Sequence, residues 1–331
     1  MRSGMIIHPD EITHAWIDKL ADAGIHTLGI HSVGGKLAHQ ELADLVTLAK
    51  QQSYRDRIDY ARSRGLEIEY ELHAAGYLMP RSLFSQHPEY FRMNRDGQRC
   101  DDFNFCVTNP EALELFTDRA VKLAQDLYGS SQNFYFWLDD GWDIACHCPN
   151  CRKYSPSDQQ ALVLNAMLKK IRKVIPDARM AYLAYMDCLV PPATVEPDEN
   201  IFLEYAPFEK YTAKGPDAPE RIARERELLK PLIRFFRDRP LKVLEYWYDN
   251  SLFSQWTKPP KPFTLKEPEM IADIQEYRDM GFSWITTFAC FLGYDYIDLY
   301  GDVEVTPFQN ALCLAQHIEP LATQNQKGES V

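Results

Sequence analysis

Short runs of β-branched and aromatic residues alternate along the chain with longer stretches in which apolar side chains recur every three or four positions. The short runs at residues 5–7, 26–30, 66–72, 134–138, 179–184, 201–205, 241–247 and 284–288 predict strands. The longer stretches at 11–23, 53–63, 110–127, 159–174, 219–236, 267–280 and 308–317 predict helices that bury one face. Asp10 is placed to cap the first helix, and Gly65 and Gly281, each just ahead of a strand, are expected helix C-caps. Eight strands, most followed by a helix, predict an α/β protein with a (β/α)8 TIM barrel. The Pro-rich stretch 188–200 is too short for a full helix, which keeps a doubly wound sheet as the alternative, although no Gly-rich fingerprint follows the first strand. No internal repeat or linker interrupts the pattern. The expectation is one barrel domain over residues 1–322, with elaborated loops after strands 3 and 4 and a disordered tail at 323–331.

Composition narrows the function. The chain has 331 residues, and 36 Lys and Arg against 48 Asp and Glu give a net charge of −12. No block of Lys and Arg appears, which disfavours nucleic acid or an anionic membrane as partner. A neutral or cationic ligand suits the acidic balance. No apolar run approaches the roughly 18 residues of a membrane span. The first nine residues lack the apolar core of a signal peptide, so the chain as given reads as cytoplasmic unless a leader has been removed. A homo-oligomer is compatible with all of this.

The segment Phe134-Tyr135-Phe136-Trp137-Leu138-Asp139-Asp140-Gly141-Trp142 runs an apolar strand into two carboxylates, a glycine and an indole. At the C-terminal end of a barrel strand, acids are placed for proton transfer and an aromatic for stacking on a pyranose. Both acids can face the cavity only if the strand has ended by Asp139. Three other strands end in acids: Glu71 with His73 on the third, Glu204 on the sixth and Glu245 on the seventh. On the third strand Leu66, Ile68, Tyr70 and Leu72 should pack on helices, leaving Glu71 and His73 aimed at the mouth. Tyr77, Trp142, Tyr185, Tyr205, Tyr246, Trp247 and Tyr294 lie near strand ends as candidate sugar platforms, though a lone aromatic is more often core. Acids and aromatics around one rim are the equipment of glycoside hydrolysis, in which a carboxylic acid protonates the leaving oxygen of an oxocarbenium-like transition state.

Cys146-x-Cys148-x2-Cys151 offers three thiolates to one tetrahedral metal, for which Zn2+ is the usual occupant. Cys106 is the expected fourth ligand, with Cys100 and His147 in reserve. A closed four-thiolate site is structural and would pin the third loop to the fourth. The Cys-rich donor set argues against a zinc hydrolase, which needs an open metal position. His8, His31 and His39 are assigned no role.

The combination of Leu138-Asp139-Asp140-Gly141, the cysteine run, Met180-Ala181-Tyr182-Leu183-Ala184-Tyr185 and Pro191-Pro192 resembles the former domain of unknown function 4838 over residues 66 to 248. That domain is associated with glycoside hydrolase family 163, endo-β-N-acetylglucosaminidases acting on N-glycans. Cys106 with Cys146, Cys148 and Cys151 is also similar to the zinc cluster of family 42 β-galactosidases, where an Asn-Glu pair stands at the place of Asp139-Asp140. The first resemblance implies an N-acetylhexosaminide substrate, with Asp140 as general acid/base and Asp139 orienting a 2-acetamido group that attacks the anomeric carbon. The second implies a β-galactosidase-like retaining enzyme with Glu245 as nucleophile. In either, Glu71, His73 and Glu204 would hold sugar hydroxyls. A non-catalytic carbohydrate-binding barrel is the rival class; it would keep the aromatic platforms and not need the acids.

Overall fold

The computed structural model describes residues 1–315. Eight strands, β1 (Arg2–Ile7), β2 (Thr27–Ile30), β3 (Glu67–His73), β4 (Asn133–Trp137), β5 (Arg179–Ala184), β6 (Ile201–Tyr205), β7 (Leu241–Glu245) and β8 (Trp284–Phe288), form a closed barrel in sequence order. The helices are α1 (His14–Asp22), α2 (Ala38–Leu48), α3 (Gln52–Ser63), α4 (Ala75–Leu78), α5 (Pro110–Asp126) and α6 (Pro156–Ile171). They continue with α7 (Phe208–Thr212), α8 (Ala218–Phe235), α9 (Asn250–Phe253), α10 (Glu267–Asp279), α11 (Tyr294–Tyr300) and α12 (Thr306–Ala315). This is the (β/α)8 architecture that the alternation of strand and helix patterns predicts. The expected end of the last helix and the tail lie outside the described residues.

Chain contacts divide into two compact units, one of residues 1–31, 56–69 and 240 onward, the other of residues 32–55 and 70–239. In the first, β1 pairs with β2 and β8, and β8 with β7. The Arg2 guanidinium lies 3.9 Å from the Trp284 ring and bonds Glu69 Oε1 at 2.8 Å, while Lys242 Nζ sits 5.1 Å from the same ring. These side chains mark the inward face. Counting by twos along β7 from Lys242 then turns Leu244 and Tyr246 inward, and Val243 and Glu245 outward to the helices. In the second unit β4 pairs with β3 and β5, and β5 with β6. There Tyr135 meets Phe202 and His73 meets Trp137 on the inward face, while Tyr182 and Tyr205 point to the outer layer.

Several boundaries move for local reasons. The first helix begins at His14, not residue 11: Thr13 Oγ1 accepts the Trp16 amide at 3.2 Å, whereas Glu11 folds back onto the His8 amide at 3.0 Å and closes a separate turn, Pro9–Glu11. Gly65 and Gly281, at φ +87° and +96°, take the left-handed conformation that ends a helix ahead of a strand. Helix α2 was not among the predicted elements; its N-cap is Leu37, which supplies no side-chain acceptor and hence no start signal. The Pro-rich connection after β5 stays non-helical beyond a turn at Met186–Cys188 because α6 satisfies its backbone. Asp158 Oδ1 accepts the amides of Ala193, Thr194 and Val195 at 2.8–3.0 Å, and Asn165 Oδ1 that of Asp198 at 2.8 Å.

Candidate active site

Strand β4 ends at Trp137, so Asp139 and Asp140 both follow the strand and escape its alternation. The two acids have opposite surroundings. Asp139 Oδ1 accepts the Gly76 amide at 3.2 Å; Oδ2 accepts the Asn104 amide at 2.5 Å and the Arg81 guanidinium. Its own amide donates to Asn104 Oδ1 at 3.0 Å, and Arg81 continues to the Asn104 carbonyl at 2.8 Å. Charge-assisted bonds of this kind fix a carboxylate in position. Asp139 thereby ties the loop after β4 to α4 and to the long loop after β3. Asp140 is half-buried and accepts one side-chain bond, from the Tyr185 hydroxyl at 3.0 Å.

Around this pair the loop is clamped twice more. The Asp143 amide donates to Asp187 Oδ2 at 2.5 Å, and Arg95 Nε donates to Asp143 Oδ1 at 2.8 Å. Burial pushes the Asp187 carboxyl above its ordinary range, while the Arg95 bond holds Asp143 below it. A cleft with room for a few waters, about 50 Å³, is lined by His73, Asp139, Gly141, Tyr185 and Asp187 among others, and Asp140 lies outside that lining, joined to it through the Tyr185 hydroxyl. His73 Nδ1 donates to the Leu138 carbonyl at 2.8 Å, which fixes its tautomer. Deeper on the inward face lie the buried Glu71 and Glu204, and Glu204 Oε2 accepts the Trp137 indole N–H at 2.8 Å.

Other predicted site residues fall elsewhere. Glu245 closes β7 as expected, but its buried side chain lies on the outward face, where Oε1 accepts the Tyr277 hydroxyl of α10 at 2.5 Å, so the expectation that it serves as a nucleophile at the rim is not met by the strand's alternation. Trp247 lies in the helix layer, donating to Asp273 at 2.9 Å and meeting Phe308, and Tyr205 donates outward to Glu225 of α8 at 2.9 Å. Neither offers a ring face to a sugar. Tyr77 is covered by Arg119 of α5, 5.4 Å from its ring, so it braces α4 on α5. Tyr246 points inward against Phe288, Trp142 is 50% exposed, and Tyr294, 74% exposed, opens on a shallow cleft with Asp10, Lys258 and Phe291. Arg81 and Asn104, which hold Asp139, went unpredicted: each is a single polar residue in a long loop, with no spacing that announces its partner.

The Sγ atoms of Cys106, Cys146, Cys148 and Cys151 are buried within 4.8 Å of one another. Cys106 Sγ stands 3.6 Å from Cys148 and 3.8 Å from Cys151. A disulfide requires about 2.05 Å, whereas four thiolates about 2.3 Å from one tetrahedral Zn2+ stand about 3.8 Å apart. The donor set fits a metal. Gln159 supports it from α6, accepting the Cys146 amide at 3.0 Å and donating to the carbonyls of Cys146 and Cys151. Hydrogen bonds from the Cys146 and Cys151 thiols hold Cys106 well below the ordinary thiol range. The reserves stand apart: Cys100 is half-buried on the Gln98 carbonyl, and His147 pairs with Asp143.

Fold and rim define a (β/α)8 barrel with an acid-bearing β4 end and a four-cysteine cluster beside it. Residues 40–226, more than half of the chain, match the family described as Domain of unknown function (DUF4838), and the chain belongs to that family. Solved structures similar to it include PbGH5A, a glycoside hydrolase family 5 enzyme of Prevotella bryantii B14 in complex with a xyloglucan tetradecasaccharide (14% identity, TM-score 0.53, 92% of this chain and 86% of that one). Gan42B, a GH42 β-galactosidase, matches at 13% identity and TM-score 0.54 over 96% of this chain and 56% of its own. Endo-glycoceramidase II from Rhodococcus sp. matches at 12% identity and TM-score 0.51, over 87% of this chain and 72% of that one. At such identities the likeness is one of fold. No curated protein matches the sequence. No helix among the described residues is long and apolar enough to cross a membrane.

Proposed function

We propose that the protein is a glycoside hydrolase acting on a β-linked sugar, with Asp140 as general acid/base. The observation that carries this reading is the contrast at the end of β4: a saturated, fixed Asp139 beside an Asp140 held by one tyrosine hydroxyl. Asp140 can give a proton to the glycosidic oxygen as the bond to the anomeric carbon breaks, then take one from the incoming water. Tyr185 orients it, and in this reading Glu71, His73 and Glu204 on the inward face hold sugar hydroxyls.

The outward turn of Glu245 favours substrate assistance over double displacement. In that version the carbonyl oxygen of the substrate's 2-acetamido group attacks the anomeric carbon, and the substrate is an N-acetylhexosaminide. Asp139, already accepting from Arg81, Gly76 and Asn104, serves here as the anchor of the loop in place of the acetamido partner expected from sequence. A panel of aryl β-glycosides with and without the 2-acetamido group tests the reading, together with a thiazoline inhibitor. Hydrolysis confined to the acetamido sugars, with inhibition by the thiazoline, is expected. Turnover of non-acetamido glycosides without thiazoline binding would overturn the assisted mechanism. Sugar binding without hydrolysis of any glycoside would point to a carbohydrate-binding barrel.

We assign Zn2+ to Cys106, Cys146, Cys148 and Cys151, on the sulfur spacing and the all-thiolate donor set. Bound there, a metal with four protein ligands supplies no chemistry. The residues that hold it join the loop after β3 to the loop after β4, next to Asp139 and Asp140.

A further inference from the structure

His8 follows β1 directly and continues its inward face through Arg2, Gly4 and Ile6. It is 7% exposed. Its Nδ1 lies 2.9 Å from the His31 carbonyl oxygen, so Nδ1 carries the proton and Nε2 is an acceptor. The rings of His31 and Phe291, with centroids 6.1 Å and 5.9 Å away, hold the imidazole in place. No described residue donates to Nε2. Asp249, in the loop after β7, is 6% exposed. Its Oδ1 accepts the Ser251 amide at 3.1 Å, the Ser251 hydroxyl at 2.5 Å and the Leu252 amide at 3.3 Å, which leaves Oδ2 without a donor among the described residues. Burial raises the Asp249 carboxyl above its ordinary range.

Phe291 joins the two. Its backbone is left-handed at φ +63°, its ring meets His8, and its carbonyl accepts Asn250 Nδ2 at 3.3 Å, one residue after Asp249. A non-glycine residue persists in that conformation only where its surroundings impose it. Neither His8 Nε2 nor Asp249 Oδ2 is a fully enclosed atom, so each mostly buried residue turns one polar atom to a space that water or a ligand reaches.

We propose that His8 Nε2 and Asp249 Oδ2 form a subsite that accepts hydrogen bonds from the hydroxyls of a bound sugar. The chemistry selects this ligand class. A ring nitrogen and a carboxylate oxygen that solvent reaches match a polyhydroxylated neutral molecule, whose hydroxyls can both donate and accept. Neither residue belongs to a group of metal-ligand side chains among the described residues. The inference rests on the glycosidase reading, since it takes the ligand to be that enzyme's substrate.

The test is calorimetric binding of the methyl β-glycosides of N-acetylglucosamine, glucose and galactose, and of their monodeoxy analogues, alongside aryl glycoside kinetics. Asp249→Asn keeps the Oδ1 cap and turns the open acceptor into a donor; His8→Phe keeps the ring contacts. Each is expected to raise Kd and KM at least tenfold, and one deoxy analogue should bind wild type and Asp249→Asn equally. Unchanged Kd and KM in both, with turnover that still depends on Asp140, would overturn the subsite and leave the glycosidase reading standing. A wild-type protein that neither binds nor cleaves any of these sugars would overturn both. If a variant fails to fold, the His8 nitrogen resonances of the wild-type protein decide: sugar should move Nε2 and leave Nδ1 in place, and a static Nε2 refutes the proposal.

Discussion

The loops of the unit that holds β4–β6 and the strand ends of the unit that holds β1, β2, β7 and β8 differ in how their polar side chains are held. In the first, the loops beyond the strands are long and several of their polar side chains are saturated: Asp139 by Arg81 and two amides, Asp158 by three amides, and Cys146 and Cys151 by Gln159. Among these clamps Asp140 stands out by having one hydroxyl. In the second, the strand ends are packed by aromatics, and His8 and Asp249 each keep an acceptor open. Saturation builds a rigid frame. The groups it leaves unsaturated are where a ligand has something to do, and this distinguishes two adjacent aspartates that look equivalent in the sequence.

The frame should fail hardest at the cysteines. Cys148→Ser is expected to lower zinc content from about one ion per chain to a small fraction and to cost several kcal/mol of unfolding free energy, read by metal analysis and urea titration. Equal metal content in wild type and variant would show that the cluster is a set of reduced thiols. Next is the pair of aspartates. Asp139→Ala takes the carboxylate from the Arg81 guanidinium, which keeps the Asn104 carbonyl, and leaves the Gly76 and Asn104 amides without their acceptor, and should cost about 2–3 kcal/mol, whereas Asp140→Asn should cost about 1 kcal/mol or less. Comparable losses in urea titrations of the two would erase the contrast between locked and available acid.

A pH effect belongs to the other unit. Burial lifts the Glu11 carboxyl to about 7, against the backbone amides of His8 and Gly293 that favour its ionised form. The folded chain therefore holds this proton where the unfolded chain has released it. Stability should fall as pH rises from the ordinary glutamate range to about 7, by about 3 kcal/mol in all, and level off above. Urea titrations from pH 4 to 8 should show this slope in wild type and a flatter one in Glu11→Gln; parallel slopes would remove Glu11 as its source.

The strands were legible because each is a short run of β-branched and aromatic residues between breakers, and seven of the helices because one face is apolar. What escaped depends on contacts distant in sequence. Leu37 gives no sign that α2 starts after it. The run 241–247 reads as one strand, yet the sheet is left after Glu245, and whether Glu245 faces the mouth or α10 follows from the inward position of Lys242 on Trp284. The cysteine spacing exposes three members of the cluster directly, and the fourth, Cys106, follows from its place at the end of the long loop. Asp139 and Asp140 are legible as a pair, but their different surroundings are set by Arg81 and Asn104, remote in sequence from both.

The most direct test pairs Asp140→Asn with two aryl glycosides of one sugar, one with a poor leaving group and one with a strongly activated one. Loss of the general acid should cut kcat on the poor leaving group by about 100-fold or more and spare the bond-breaking step of the activated one, with folding unchanged. Equal rates for wild type and variant on the poor leaving group would take Asp140 out of the chemistry, and the glycosidase mechanism built on it would fall.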